Sequence, residues 1–379
     1  MATVRERLLG GPARVVGLDV ARGLAVLGMF TAHVGVIDDS TLWLTIADGR
    51  SSVLFALVAG VSLALVTGGP RPLAGDALVH ARARLLVRAV LLLALVALLD
   101  LLGTRVLLIL GFYATYFVLA LPFVTWGPRR LALAAVVVAV VGPPLAHWGP
   151  VALTRAGLHL PDDGSGAVTD FLLTGHYPAV VWMAYVFAGM AVGRCDLSSA
   201  GLRRGLVLGG LGAVVVGSLL SAEVVDRFGG PTAVRAQVES TVTPGWAWSD
   251  PWPTAAYLAL PGPHEESWLE VLATGGFALA VLGLCLAVTG VGARVLSPLA
   301  AVGALALTVY SLQIVAIWHG DLIDAETNGP LLAMIGVSLL AATLWRLWLG
   351  RGPLERLFTA VARRTAPPPP RQAAVGPEE

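Results

Sequence analysis

The chain predicts an all-α fold: a polytopic integral membrane helix bundle of about ten transmembrane helices, with both termini cytoplasmic. Three observations carry that expectation. Hydrophobic residues make up 56% of the 379 positions and charged residues only 13%, about half the roughly 25% charge of a soluble domain. Apolar runs repeatedly reach the ~18–20 residues that span a bilayer. Arginines concentrate on alternate loops, as topology determinants do. A net charge of +1 gives no ground for a nucleic acid partner. Cys195 and Cys285 offer neither a metal spacing nor a disulfide framework, and no metal is expected.

The spans are expected at about 15–37, 51–67, 85–103, 106–125, 131–149, 177–193, 205–221, 268–289, 297–318 and 330–349. The first carries no cleavable signal pattern and is expected to stay. With a cytoplasmic N-terminus, the inner segments hold Arg5, Arg7, Arg14, Arg71, Arg82, Arg84, Arg88, Arg129, Arg130, Arg194, Arg203, Arg204, Arg294 and the arginines from Arg346 on. Arg50, Arg105, Arg155, Arg227 and Arg235 fall outside, a strong positive-inside asymmetry. Most loops are short. The exception, about 222–267, holds Trp246, Trp248, Trp252 and the run PGPHEESW. Its tryptophans point to packing at the interface or over a cavity mouth. The Pro-rich end of the chain reads as a disordered tail. The expected division is residues 1–200, residues 201–362 with the outer loop 222–267, and the tail 363–379.

The first span, RVVGLDVARGLAVLGMFTAH, should be nearly free of charge, yet it holds Asp19, Arg22 and His33, with Arg14 at its start. Ionisable groups at bilayer depth are costly and normally face protein and a partner. Asp19, Arg22, Val26, Met29 and His33 share an arc of roughly 80°, so this stripe faces the bundle. Asp19 and Arg22 can pair at i,i+3, and His33 lies about 16 Å further along. Except for His80, the histidines gather toward the outer face together with most acidic residues, where proton chemistry would take place.

Four further places hold reactive groups. Arg50 and Ser51 open the second span, where free N–H groups accept anions or polar ligands; an interfacial arginine with serine capping explains them equally well. His264 sits where the long loop returns to the membrane, in position to fold over a mouth above His33, and Glu270, at the outer start of the eighth span, is placed to line a cavity or to snorkel to the interface. Gly60 and Ser62 suit close helix packing. In span nine, Tyr310 and Gln313 place polar groups in an apolar helix, and Gln313 must meet a partner across helices, as interhelical glue or as a substrate contact.

The pattern Arg14-x-x-x-Leu18-Asp19-x-x-Arg22-Gly23-x-Ala25…Met29…His33 resembles the N-terminal signature of transmembrane acyltransferases. It is most similar to bacterial proteins like heparan-α-glucosaminide N-acetyltransferase. GRSSVLFALVAGVSLAL and WMAYVFAGMAVGRCDL resemble later spans of that group. The C-terminal third, with SPLAAVGALALTVYSLQ, PHEESWLEVLATGGFALAVLGLCL and GPLERLF, resembles the YeiB-like family of unknown function. That family tends to have Arg and Asn where this chain has Ala304 and Val309.

The resemblance implies a multi-pass protein of a bacterial inner (cell) membrane. It implies transfer from acyl-CoA, acetyl-CoA above all, to an amine or hydroxyl of a glycan or lipid-linked acceptor at the outer face, with membrane lipid as surroundings and a homodimer left open. His33 would be the general base, or an acyl-carrying nucleophile. Asp19 and Arg22 would organise the inner part of a tunnel. Arg14, Arg82, Arg84 and Arg88 would face the donor's phosphates. Arg50, Ser51, His264, Glu270, Tyr310 and Gln313 would face the acceptor. A transporter or exporter of a polar metabolite is the alternative, weighed against by the lack of a visible repeat and of paired broken helices. A non-catalytic membrane protein that binds a partner through the outer loop is the third reading.

Overall fold

Every one of the ten expected segments is helical. The computed structural model describes residues 8–11, 14–158, 166–241 and 251–367. Its principal helices are α1 (Val16–Val34), α2 (Arg50–Val66), α3 (Gly75–Asp100), α4 (Leu110–Ala120), α5 (Pro128–Arg155), α6 (Ala179–Gly193), α7 (Ala200–Arg227), α8 (Pro231–Thr241), α9 (Trp268–Leu286), α10 (Ser297–Ala304), α11 (Ala306–Gly320), α12 (Gly329–Trp348) and α13 (Pro353–Thr365). Five helices are long and apolar enough to cross a membrane, and up to seven if each bent pair counts as one crossing. The fold is that of a multi-pass membrane protein. Three arginines, Arg82, Arg84 and Arg88, interrupt the apolar character of α3. At 11 residues, α4 reaches about 17 Å, short of a ~30 Å hydrocarbon core. Pro143, Pro144 and Pro150 lie inside α5, tolerated where neighbouring helices satisfy the freed backbone groups.

The charged helix α1 is central. It packs against α2, α9 and α10, with α11 and α12 alongside; α2 packs on α6, α5 on α6, α7 on α9, and α3 on α4 and α13. Small residues set the closest approaches. A Cβ on Gly60 would stand 2.2 Å from the Val186 carbonyl oxygen, and one on Gly189 would stand 2.0 Å from that of Leu57, so α2 and α6 meet backbone to backbone, as small-residue interfaces allow. A Cβ on Gly303 would stand 1.8 Å from the Asp19 carbonyl oxygen. The α1–α10 contact is therefore equally tight at the charged stripe.

Two expectations need correction. Span nine is not continuous: α10 and α11 meet at Leu305 with an 83° bend. The apolar run through this region contains no proline at the break, so nothing local announces it. The break leaves N–H groups of the first turn of α11 without intrahelical partners. Glu355 on α13 supplies one, accepting from the Thr308 N–H at 3.1 Å and its hydroxyl at 2.6 Å. A second bent pair joins Ala167–Thr174 to α6 at 63°, so, contrary to expectation, the bundle contains paired broken helices. The long loop contains α8 and a turn of 3₁₀ helix, Ala255–Ala259.

Its second half is strapped to the C-terminal end of α5. Arg155 donates to the Pro251 carbonyl at 2.8 Å and lies over the Trp252 ring at 4.4 Å; Trp148 Nε1 donates to Pro253, and His147 stacks on Tyr257. Trp246, Trp248, His159 and the chain beyond residue 367 fall outside the described residues, while the first residues of the expected tail, 363–365, are the end of α13.

Candidate functional site

The charged stripe of α1 divides into two centres. At its N-terminal end, the Asp19 carboxylate accepts from both Arg14 and Arg22; the Arg14 Nη2 and Arg22 Nη1 contacts to Oδ1 are 3.1 Å each. Asp19 is 6% exposed, and a buried carboxylate needs such partners. Arg22 also donates to the Gly303 carbonyl at 3.2 Å and to the Ser62 hydroxyl at 2.9 Å. Ser62 therefore does more than permit close packing. It fixes one arm of the guanidinium, while the backbone of α10 fixes the other.

Arg22 lines a cavity of about 310 Å³ together with Arg88, Ser62, Tyr113, Tyr310 and Glu355. Of the other arginines expected to form one cationic surface, Arg14 lines a separate cavity with Arg203 on the far side of α1. Arg84 donates to the Ala366 carbonyl just beyond α13. Arg82 carries a buried, unpartnered Nε and lines none of the principal cavities. The fold brings Arg22 and Arg88 into one cavity; Arg14 meets Arg22 across Asp19 but lines a different cavity, and neither Arg82 nor Arg84 lines the one with Arg88.

At the other end of the stripe, His33 lines a cavity of about 350 Å³ with Asp48, Ser51, Arg105, His176, His264 and Tyr310 among its walls. Its Nδ1 is 2.7 Å from Gln313 Nε2; no hydrogen bond reaches its Nε2 among the described residues. Ser51 approaches because Gly28 has no side chain: a Cβ there would stand 2.0 Å from Ser51 Oγ. Arg50 turns away from this cavity, donating to the Thr45 carbonyl and lying over the Phe277 ring. Tyr310 is the one predicted residue that lines both cavities.

Glu270 does not reach the cavity. Its two carboxylate oxygens accept from the backbone N–H groups of His264 at 2.8 Å and Glu266 at 2.7 Å. His264 and Glu266 both adopt positive φ, 61° and 55°, a conformation that costs such residues roughly 1–3 kcal/mol and persists only when held from outside. Glu270 holds it. The signal was present in Ser267-x-x-Glu270, a helix-start pattern, and Ser267 does cap α9 by accepting from Glu270 N–H.

The strained loop stacks His264 against His176, with ring centroids 4.0 Å apart, and sets it parallel to Trp182. Glu266 accepts from Trp182 Nε1 at 3.0 Å. Burial, helped by the neighbouring His176, pushes the His264 imidazole down to about 3, and burial pushes the Glu266 carboxyl well up. His264 thus presents a neutral ring to the cavity. His176 and Asp48, which line the cavity, and Trp182 and Glu266, which hold His264 beside it, were not singled out from the sequence, because no local pattern marks their contact with His264 or with the cavity. Among the described residues no group of His, Cys, Asp or Glu is placed to hold a metal ion.

Residues 14–209 match the model of the heparan-alpha-glucosaminide N-acetyltransferase, catalytic family. The chain belongs to that family. The match covers α1 to the first third of α7, and with it Arg14, Asp19, Arg22, His33, Arg50, Ser51, Arg82, Arg84 and Arg88. His264, Glu270, Tyr310 and Gln313 lie beyond it. No curated protein and no solved structure matches the chain. Family membership makes this a membrane protein of acetyltransferase type, with its signature helix at the centre of the bundle.

Proposed function

We propose that the protein is a membrane acyltransferase. It takes an acyl group, acetyl in the simplest case, from an acyl-CoA donor on the cytoplasmic side. The group passes to an amine or hydroxyl of a glycan-like or lipid-linked acceptor at the outer face of the cell membrane. The observation that carries this reading is the pair of cavities on either side of Tyr310, one lined by Arg22 and Arg88 and the other by His33. The first offers fixed cations for the anionic donor. The second offers an imidazole with a free ring nitrogen. In this reading both termini are cytoplasmic and about ten helical segments lie in the bilayer, the short α4 reaching only part of the way across.

His33 takes a proton from the acceptor amine or hydroxyl as that atom attacks the thioester carbonyl carbon. The new C–N or C–O bond forms, the C–S bond breaks, and the CoA thiolate leaves and takes up a proton. Asp19 neither touches donor nor acceptor in this scheme; it holds Arg22 against Ser62 and Gly303. Arg82, Arg84 and Arg14 contribute positive potential to the donor's side rather than direct contacts.

The two bent helix pairs favour the second reading, an exporter of a polar metabolite, since discontinuous helices line many transport sites. Proteoliposomes given labelled acyl-CoA separate the two. Acyl release or transfer to acceptor supports the enzyme. Passage of a polar substrate without chemistry supports the exporter and overturns the enzyme, and neither event supports a partner-binding protein.

A further inference from the structure

Gln313 is 2% exposed, on α11. One end of its amide meets His33 Nδ1 at 2.7 Å. The other end, Oε1, is buried and bonded to nothing among the described residues. Gln313 also lines a mostly apolar cavity with Phe30, Leu305, Thr308, Leu312, Met334 and Ser338. An unmet buried acceptor costs about 1–3 kcal/mol, so packing alone would be better served by methionine. The hydrogen-bond partner of this amide is the ring of His33, from a helix 280 residues away in sequence.

The partner decides which ring nitrogen carries the proton. An amide exchanges its oxygen and nitrogen by a half-turn of its last torsion, and which end faces the ring is an assignment. With Nε2 toward the ring, the amide donates to Nδ1. The ring proton then sits on His33 Nε2, which can give a proton to the cavity but not take one. With Oε1 toward the ring, Nδ1 carries the proton and donates to the amide, leaving a lone pair on His33 Nε2. The half-turn sacrifices no bond at the outer end, because Oε1 has none there.

We propose that Gln313 is the positioning residue for His33: its amide oxygen accepts from Nδ1–H and holds the imidazole in the tautomer whose Nε2 is basic toward the cavity. This rests on the reading of His33 as the general base. A neutral amide sets the tautomer without adding a buried negative charge beside the base, which a carboxylate would do. The inference also gives the C-terminal half a part in the chemistry, since Gln313 lies outside residues 14–209.

The test uses the full-length protein in detergent or nanodiscs with ¹⁵N-labelled histidine, the His33 signals being those lost in His33→Ala. The expected wild-type spectrum is the Nδ1–H tautomer. Gln313→Met, equal in length and without a polar end, should shift His33 toward the Nε2–H form. In the transfer assay it should lower kcat at least about tenfold, a part of the 10²–10⁴ that general-base catalysis supplies, with KM held within about twofold. Gln313→Glu, which keeps an acceptor at the same place, should recover the Nδ1–H tautomer and part of kcat. Gln313→Met added to His33→Ala should cost nothing further. An Nε2–H wild-type spectrum overturns the inference, as does a Gln313→Met protein with unchanged tautomer and kcat. If the wild type transfers no acyl group, the functional reading fails, and the spectra still decide which tautomer Gln313 holds.

Discussion

Replacing Asp19 with alanine should destabilise the fold severely. The Asp19 side chain is 8% exposed and bridges Arg14, 30% exposed, and Arg22, 22% exposed. Without the carboxylate, two guanidinium groups lie beside each other, and the remaining carboxylate near Arg22, Glu355, makes no hydrogen bond to either. Arg22 keeps only the Ser62 hydroxyl and the Gly303 carbonyl. Removing one partner of a buried pair costs about 3–5 kcal/mol, because the other charge stays buried and uncompensated. Arg14 is partly solvated, so the lower end applies, about 3 kcal/mol, or roughly a hundredfold in the folded-to-unfolded ratio. That is a large share of the ~5–15 kcal/mol that holds a typical domain together. Asp19→Asn, which keeps the shape and one acceptor, should lose less. Adding Arg22→Met to Asp19→Ala should cost less than the sum of the two single changes, since it removes the stranded charge. Equilibrium unfolding in detergent micelles measures all of these. An Asp19→Ala protein within about 0.5 kcal/mol of wild type, the range of an ordinary surface change, would refute the claim that this carboxylate anchors the stripe.

Other outcomes follow from other parts of the fold. Arg194 caps the end of α2, donating to the carbonyls of Ala64 at 2.9 Å and Gly69 at 2.6 Å and to the Thr67 hydroxyl, and also reaches Val124. Arg194→Met should therefore lower the thermal unfolding midpoint through a loss of about 3 kcal/mol, while the KM of the folded fraction stays unchanged. His264, held down to about 3 against an ordinary 6.5, takes up its proton more readily when unfolded. Its contribution to stability is present above pH 6.5 and is lost as pH falls from there toward 3. The thermal midpoint should accordingly fall less between pH 7 and 5 in His264→Gln than in wild type. Equal slopes would contradict the buried neutral ring. Glu266, pushed up by burial, acts with the opposite sign, losing stability as pH rises. Glu270→Gln should weaken the strained loop, because an amide cannot accept both the His264 and Glu266 N–H groups; faster proteolysis within 261–267 measures it.

The helices were legible wherever apolar length alone decides them. The Asp19–Arg22 pair was legible too, because i,i+3 spacing on one helix is a local fact. Arg14 as a third member was not, since it lies before the helix begins and reaches Asp19 by the fold of the preceding chain. His33 and Gln313 each stood out as polar groups in apolar helices. Their pairing depends on how α1 and α11 cross, which neither segment encodes by itself. The break at Leu305 was invisible because its causes are remote: Gly303 pressed on the Asp19 backbone, and Glu355 capping the second half. The role of Glu270 in the loop was not legible, because its two partners are backbone N–H groups placed by the positive φ of His264 and Glu266. The gathering of His176 and His264 beside Trp182 comes from that loop, whose positive φ angles no local pattern announced.

In the proposed reaction His33 performs the proton transfer that lets the acceptor attack the acyl donor. Its most direct test is the single-turnover rate of acyl transfer from labelled acetyl-CoA in proteoliposomes, comparing wild type with His33→Ala at equal folded protein. The rate should fall about 10²–10⁴-fold, with donor binding retained at the Arg22 and Arg88 cavity. A His33→Ala protein that transfers at the wild-type rate would contradict it.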